Sequence, residues 1–254
     1  MFTTPALRAV RQQFPGAHIS YLVEPLAAPV VSSSRHIDEL LVAPRAHLLS
    51  DIALGLRLRR RRYDLAIDFH GGPRASLLTW LSAAPRRIGY DVPGRGWMYT
   101  TRVARPRDIR PRHAVENQWD LLTAIGVPAP EADRNPVEMP VDPQAAAAVT
   151  TRLQAAELGA GDRLIVVHVS AGNPFRRWPQ DAFAAMVSSL VSRHGNVGVI
   201  IISGPSERDA AGRLVDRVRE RLSPSRRPGV FSIGELTLGE LRALAFHQLH
   251  VGVN

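Results

Sequence analysis

The chain is 254 residues long, 45% apolar and 22% charged, and contains no cysteine. That length allows two modest domains, while the missing cysteines exclude disulfides, thiolate metal sites and a cysteine nucleophile. All 32 basic residues are arginine, so a Walker phosphate loop and a pyridoxal Schiff base, both of which need lysine, are excluded as well.

From the start, strand and helix patterns alternate. Residues 3–13 read as a helix, 18–23 as a strand and 39–42 as a second short strand. A helix over 46–61 precedes a strand at 65–69. Gly71-Gly72-Pro73 then opens a helix to Leu81. A short strand at 87–90 and a helix over 113–125, stopped by Gly126, follow. Residues 127–143 carry five prolines and read as a linker. Beyond them come a helix at 143–157, a strand at 164–169 and a helix at 179–193. A strand at 197–202, a helix at 206–221, a strand at 229–232 and a helix at 237–247 complete the series. The closing LHVGVN reads as an apolar strand. Such alternation predicts an α/β protein with parallel sheets and crossover helices, divided into domains at 1–140 and 141–254.

Two strand-to-helix breaks carry the most chemistry. The first, in LIVVHVSAGNPFRRWP, places Ser170, Ala171, Gly172, Arg176 and Arg177 after a strand. The second, in VGVIIISGPSERDAA, places Gly204, Ser206 and Glu207 after the next. In open α/β sheets ligands bind at the carboxyl ends of strands. Small residues, a hydroxyl and a guanidinium there suit a phosphate-bearing, nucleotide-like ligand.

Net charge is +9, and it is uneven: residues 57–112 hold 14 arginines against four aspartates, leaving the rest of the chain near neutral. Such a block suits an anionic partner, whether a phosphorylated glycolipid, a membrane surface or a nucleic acid. Its densest part, Arg57 and Arg59 to Arg62, also suits the carboxyl end of a helix, where cations offset the dipole. No metal-ligand cluster stands out, since His247 and His250 straddle a predicted helix end. There is no run of 18 apolar residues and no signal-peptide block, so a cytoplasmic location is expected.

In order along the chain, TTPALRAVRQQFPGAHISYLVEP, YDLAIDFHGGPRASLL, RRIGYD, RHAVENQWDLLTAIG, HVSAGNPFRRWP, ISGPSERDAA and LHVGV resemble glycosyltransferase family nine. These are the ADP-heptose:lipopolysaccharide heptosyltransferases and their relatives. The resemblance implies two Rossmann-like domains in the GT-B architecture, the first binding the acceptor and the second the nucleotide-sugar donor. It implies inverting transfer of heptose from ADP-heptose to the anionic inner core of lipopolysaccharide. That work belongs to a cytoplasmic protein peripheral to the membrane, with no cofactor beyond the donor substrate.

Carried over by position, Ser170, Ala171, Gly172 and Arg176 fall where the family grips the donor diphosphate. Glu207 falls near the acid that holds the ribose. On the acceptor side, Arg74 and His113 match basic residues that take phosphate or carboxylate. Asp68 has the chemistry of a base, but its strand-end position favours capping the Gly-Gly turn. Family members place a Gly-Asp pair, carrying the presumed general base, where this chain has Met1-Phe2. They also continue past VGV with an Asp where Asn254 stands. The expectation is therefore a fragment, incomplete at both ends and inactive as written, whose base lies upstream of Met1. Alternatives are another GT-B sugar-nucleotide enzyme of epimerase type, or a nucleic-acid-binding protein using the basic block. The scarcity of aromatics for base stacking in that block speaks against a nucleic-acid partner.

Overall fold

The computed structural model describes residues 2–43, 47–104, 114–128, 135–156, 163–169, 171, 173–204 and 208–251. The chain divides into two compact units, Met1–Pro140 and Val141–Asn254.

The first unit opens with helix α1 (Thr4–Gln13), whose Thr4, Ala6, Leu7 and Ala9 are buried. Strands β1 (Ser20–Val23) and β2 (Glu39–Val42) pair in parallel, with a short helix α2 (Ala28–Val31) between them. Helix α3 (Leu48–Arg60) leads to strand β3 (Leu65–Ile67), helix α4 (Pro73–Leu81) and strand β4 (Arg86–Tyr90). Strand β5 (Thr101–Val103) completes a parallel sheet in the order β3-β4-β5. Helix α5 (Ala114–Thr123) packs Trp119, Leu121 and Leu122 with Ala6 of α1 and Ile88 of β4. The turn after α5 closes as a Schellman motif: Gly126 has φ +83° and Val127 N–H donates to the Leu122 carbonyl at 3.2 Å.

The second unit is a sandwich of similar logic. Helix α6 (Pro143–Ala155) is capped by Asp142, whose carboxylate accepts from Gln144 N–H at 2.9 Å. Strands β6 (Arg163–His168), β7 (Val197–Ile202) and β8 (Val230–Phe231) form a parallel sheet in that order. Helices α7 (Gln180–Arg193) and α8 (Arg208–Glu220) bury Val187, Val191, Leu214 and Val218 against Val199 and Ile201. The alternate residues Ile200 and Ile202 meet α6 and helix α9 (Leu238–Val251) through Val149, Leu153 and Leu244. A strand buried on both faces has to be apolar at every position, and β7 is.

Two expectations change. The proline-rich stretch is not all linker, since its described residues 135–140 fold into the first unit. Glu138 pairs with Arg8 and accepts from His36 Nε2 at 2.9 Å, its N–H donates to Thr4 Oγ1 at 2.7 Å, and Met139 is buried. Burial raises the Glu138 carboxyl and the His36 and Arg8 contacts lower it, leaving it below the usual range. The apolar strand expected at LHVGVN changes at its described residues 249–251, which continue α9 to Val251. Leucine and glutamine carry a helix as readily as valine favours a strand, and no turn signal separates 247 from 251.

The packing of α3 on α4 depends on Gly55. A Cβ there would lie 2.5 Å from the Leu81 side chain. Gly55→Val should therefore lower stability by about 1–3 kcal/mol through overpacking, read as a lower urea midpoint at unchanged slope. An unchanged midpoint would contradict the close helix contact.

Candidate functional site

Both units present a strand-to-helix break at the carboxyl edge of a parallel sheet, and the two breaks are built differently. After β3 the chain reaches Asp68, which is 4% exposed. Its Oδ1 accepts from the N–H groups of His70 (2.9 Å) and Gly71 (2.8 Å), and its Oδ2 from Tyr99 OH (2.6 Å). Ser76 Oγ lies 2.7 Å from the Tyr99 hydroxyl. Gly71 has φ +70°, the left-handed conformation that glycine adopts without strain. Tyr99 reaches Asp68 across β4 because residue 89 is glycine, where a Cβ would sit 2.3 Å from the phenol ring. Asp68 thus caps the turn, its oxygens engaged by two backbone amides and a phenol.

Arg74 occupies the first turn of α4. Its Nε donates to Asp51 Oδ1 at 2.9 Å and its Nη1 to the Ala43 carbonyl at 3.3 Å, while Glu24 Oε1 lies 3.7 Å away. It is a cation that already bridges three segments of the fold. Arg95 stands at the same turn, its Nη2 donating to the Gly71 carbonyl at 3.2 Å and its buried Nε without a partner among the described residues. Sequence reasoning passed over Arg95 because nothing local marks it. His113 lies outside the described residues.

After β6 the break is held from the other polarity. Asn173 Oδ1 accepts from Phe175 N–H at 3.0 Å and starts a 3-10 turn over Pro174–Arg176. Arg177 Nε donates to the Ala171 carbonyl at 3.0 Å, fastening the loop. The neighbouring Arg176 side chain is exposed, with no carboxylate in salt-bridge range among the described residues. Ser170, Gly172 and Glu207 lie outside the described residues, so of the expected donor set only Ala171 and Arg176 are placed. Beside the loop is a cavity of about 370 Å³ whose lining includes Arg177, Trp178, Phe183, Asp209 and Arg213. Trp178 meets Phe183 edge to face at 4.9 Å. Arg213 and Asp209 come from α8, some 40 residues beyond the loop; Asp209 lies within the ISGPSERDAA motif, whereas nothing local marks Arg213. Arginines over an apolar floor suit a phosphorylated, partly planar ligand.

This geometry has known counterparts. The family model of glycosyltransferase family 9 (heptosyltransferase) matches residues 52–253. The chain belongs to glycosyltransferase family 9. Lipopolysaccharide heptosyltransferase 3 of Escherichia coli is 26% identical over 265 aligned positions, covering 100% of this chain and 74% of the relative. A family 9 glycosyltransferase from Veillonella parvula superposes with a TM-score of 0.79 at 23% identity, over 95% of this chain and 67% of that one. The E. coli heptosyltransferase WaaC, solved with ADP-2-deoxy-2-fluoro heptose, gives 0.67 at 18% identity over 96% and 75%. The fold of this glycosyltransferase is accordingly α/β, with the parallel sheets of the GT-B class.

The Asp68–Tyr99 contact is testable on its own. Tyr99→Phe removes a hydrogen bond to a buried carboxylate and should cost about 1.5–3 kcal/mol. Burial first, then the Asp68 bond, pushes the Tyr99 hydroxyl well above its ordinary pKa of 10.0. A raised pKa means the contact contributes fully below that value and is lost as pH rises above it. Denaturant titrations should therefore show wild-type stability declining at alkaline pH, with a shallower decline in Tyr99→Phe. Equal slopes would remove Tyr99 from the network. Tyr21 keeps part of the slope in both, since its hydroxyl is raised by burial too.

Proposed function

We propose that this glycosyltransferase moves heptose from ADP-heptose to the inner core of lipopolysaccharide with inversion at the anomeric carbon. The match of the heptosyltransferase family model across residues 52–253 carries the reading, and the likeness to lipopolysaccharide heptosyltransferase 3 supports it. The second unit takes the donor and the first takes the acceptor. The site of work is the cytoplasmic side of the membrane, where the protein rests peripherally.

An inverting transfer needs a base on the acceptor hydroxyl and positive charge on the departing nucleotide. Arg176 supplies the second. Its exposed guanidinium lies on the loop after β6 and meets charge building on the diphosphate. Glu207 takes the ribose hydroxyls. On the other unit Arg74, with His113, faces the acidic groups of the acceptor. Arg74 is already shared with Asp51 and Glu24, so it meets the acceptor as a shared cation rather than a bare charge. No metal or cofactor enters the scheme.

Two substitutions separate the roles. Arg176→Ala should lower kcat/KM for ADP-heptose by about 2–4 kcal/mol in transition-state terms, leaving acceptor KM unchanged. Unchanged donor kinetics would remove Arg176 from the site. Arg74→Ala should raise acceptor KM and spare ADP affinity, at a stability cost of about 1–3 kcal/mol because Asp51 is left unpaired. Lost ADP affinity there would contradict the division of labour between the units. ADP released only in the presence of heptose-deficient lipopolysaccharide supports the function as a whole. Release of UDP from UDP-sugars, with none of ADP, would overturn it.

A further inference from the structure

Helix α3 is built the wrong way round for a helix whose outer face meets only water. Its buried residues are Asp51, Gly55 and Leu58, which face the fold. Its outer face carries Leu48 (63% exposed), Leu49 (72%), Ile52 (36%) and Leu56 (48%). At about 100° per residue, Leu48, Ile52, Leu56 and Leu49 fall within one arc of about 100°. Arg59 and Arg60 continue that arc in the last turn. Arg57, Arg61 and Arg62 stand beside them, all exposed. Only Arg61 has a carboxylate partner among the described residues, Glu39 at 2.7 Å. Leu56, Arg59, Arg60 and Arg62 line a surface cavity of about 340 Å³. The neighbouring helix α4 exposes Trp80, which meets the exposed Trp97 edge to face at 5.5 Å.

We propose that the outer face of α3 is the surface by which this enzyme seats itself on an anionic phospholipid bilayer. The leucine and isoleucine side chains enter the boundary between headgroups and acyl chains, and the terminal arginines hold lipid phosphates. The pattern of an apolar ridge with cations at its end matches what a helix lying in a bilayer interface requires. Charge complementarity selects the occupant, because five arginines among the six residues 57–62 repel a second copy of themselves and attract an anionic surface. Exposed indoles of this kind suit the same environment. At 13 residues α3 is about 20 Å long, too short to cross the hydrocarbon core and long enough to lie on it. This surface deepens the peripheral placement proposed above, and its test needs neither nucleotide nor sugar acceptor.

The test is co-sedimentation of the full protein with vesicles containing phosphatidylglycerol, against vesicles of phosphatidylcholine alone. Wild type should pellet with the anionic vesicles and be released by salt. Leu49→Ser with Leu56→Ser, and separately Arg59→Glu with Arg60→Glu, should each weaken partitioning about tenfold while leaving the thermal melt in place. Leu49→Trp should bind at least as well as wild type and shift its emission to the blue on vesicles. No binding by wild type, or binding unchanged in the serine variant, overturns the proposal. So does a dimer that the serine variant dissociates in the absence of any vesicle binding, which assigns the face to a second copy. Displacement from the vesicles by a DNA duplex that binds the serine variant equally well also overturns it.

Discussion

The carboxylate of Asp68 holds together the edge of the first unit. A parallel strand that ends in a turn leaves amide groups without ladder partners, and buried amides left unpaired are costly. Asp68 takes two of them, from His70 and Gly71, and is itself held by Tyr99. The arrangement fixes where α4 begins and so where Arg74 sits. It also consumes the anion: a carboxylate serving two amides and a phenol is scaffolding for the site.

The corresponding edge of the second unit uses a cation instead. Arg177 holds the loop by its Ala171 carbonyl, which leaves the adjacent Arg176 pointing its charge outward. One edge is thus closed on itself and the other open to an anion. The difference follows from two short sequences, DFHGG and SAGNPFRRW, on sheets of the same parallel type. It agrees with the proposed assignment of the nucleotide diphosphate to the second unit.

Local patterns told most of the architecture in advance. Strands 39–42 and 197–202 stand where hydrophobic runs placed them, and α4 spans Pro73 to Leu81 as its Gly-Gly-Pro entry indicates. The capping by Asp68 was legible too, because an acid before a Gly-Gly turn is a short-range signal. What escaped was non-local or too short. Strand β5 is three residues, Thr-Arg-Val, with no alternation to detect. The Tyr99 contact needs a glycine ten residues away at position 89, and the partners of Arg74 lie 23, 31 and 50 residues from it. In the sequence Arg74 is a basic residue at a helix start, and the fold makes it a shared cation. The outer face of α3 is non-local in the same sense: its arginines show as a block in the sequence, while nothing local marks the leucines beside them as exposed.

Heptose transfer leaves its mark on the product. The full protein is incubated with ADP-heptose and heptose-deficient lipopolysaccharide, and the acceptor is examined by mass spectrometry. Gain of one heptose, with the anomeric configuration inverted from that of the donor, is the predicted result. An acceptor of unchanged mass, under conditions where ADP-heptose is hydrolysed or epimerised instead, would contradict it.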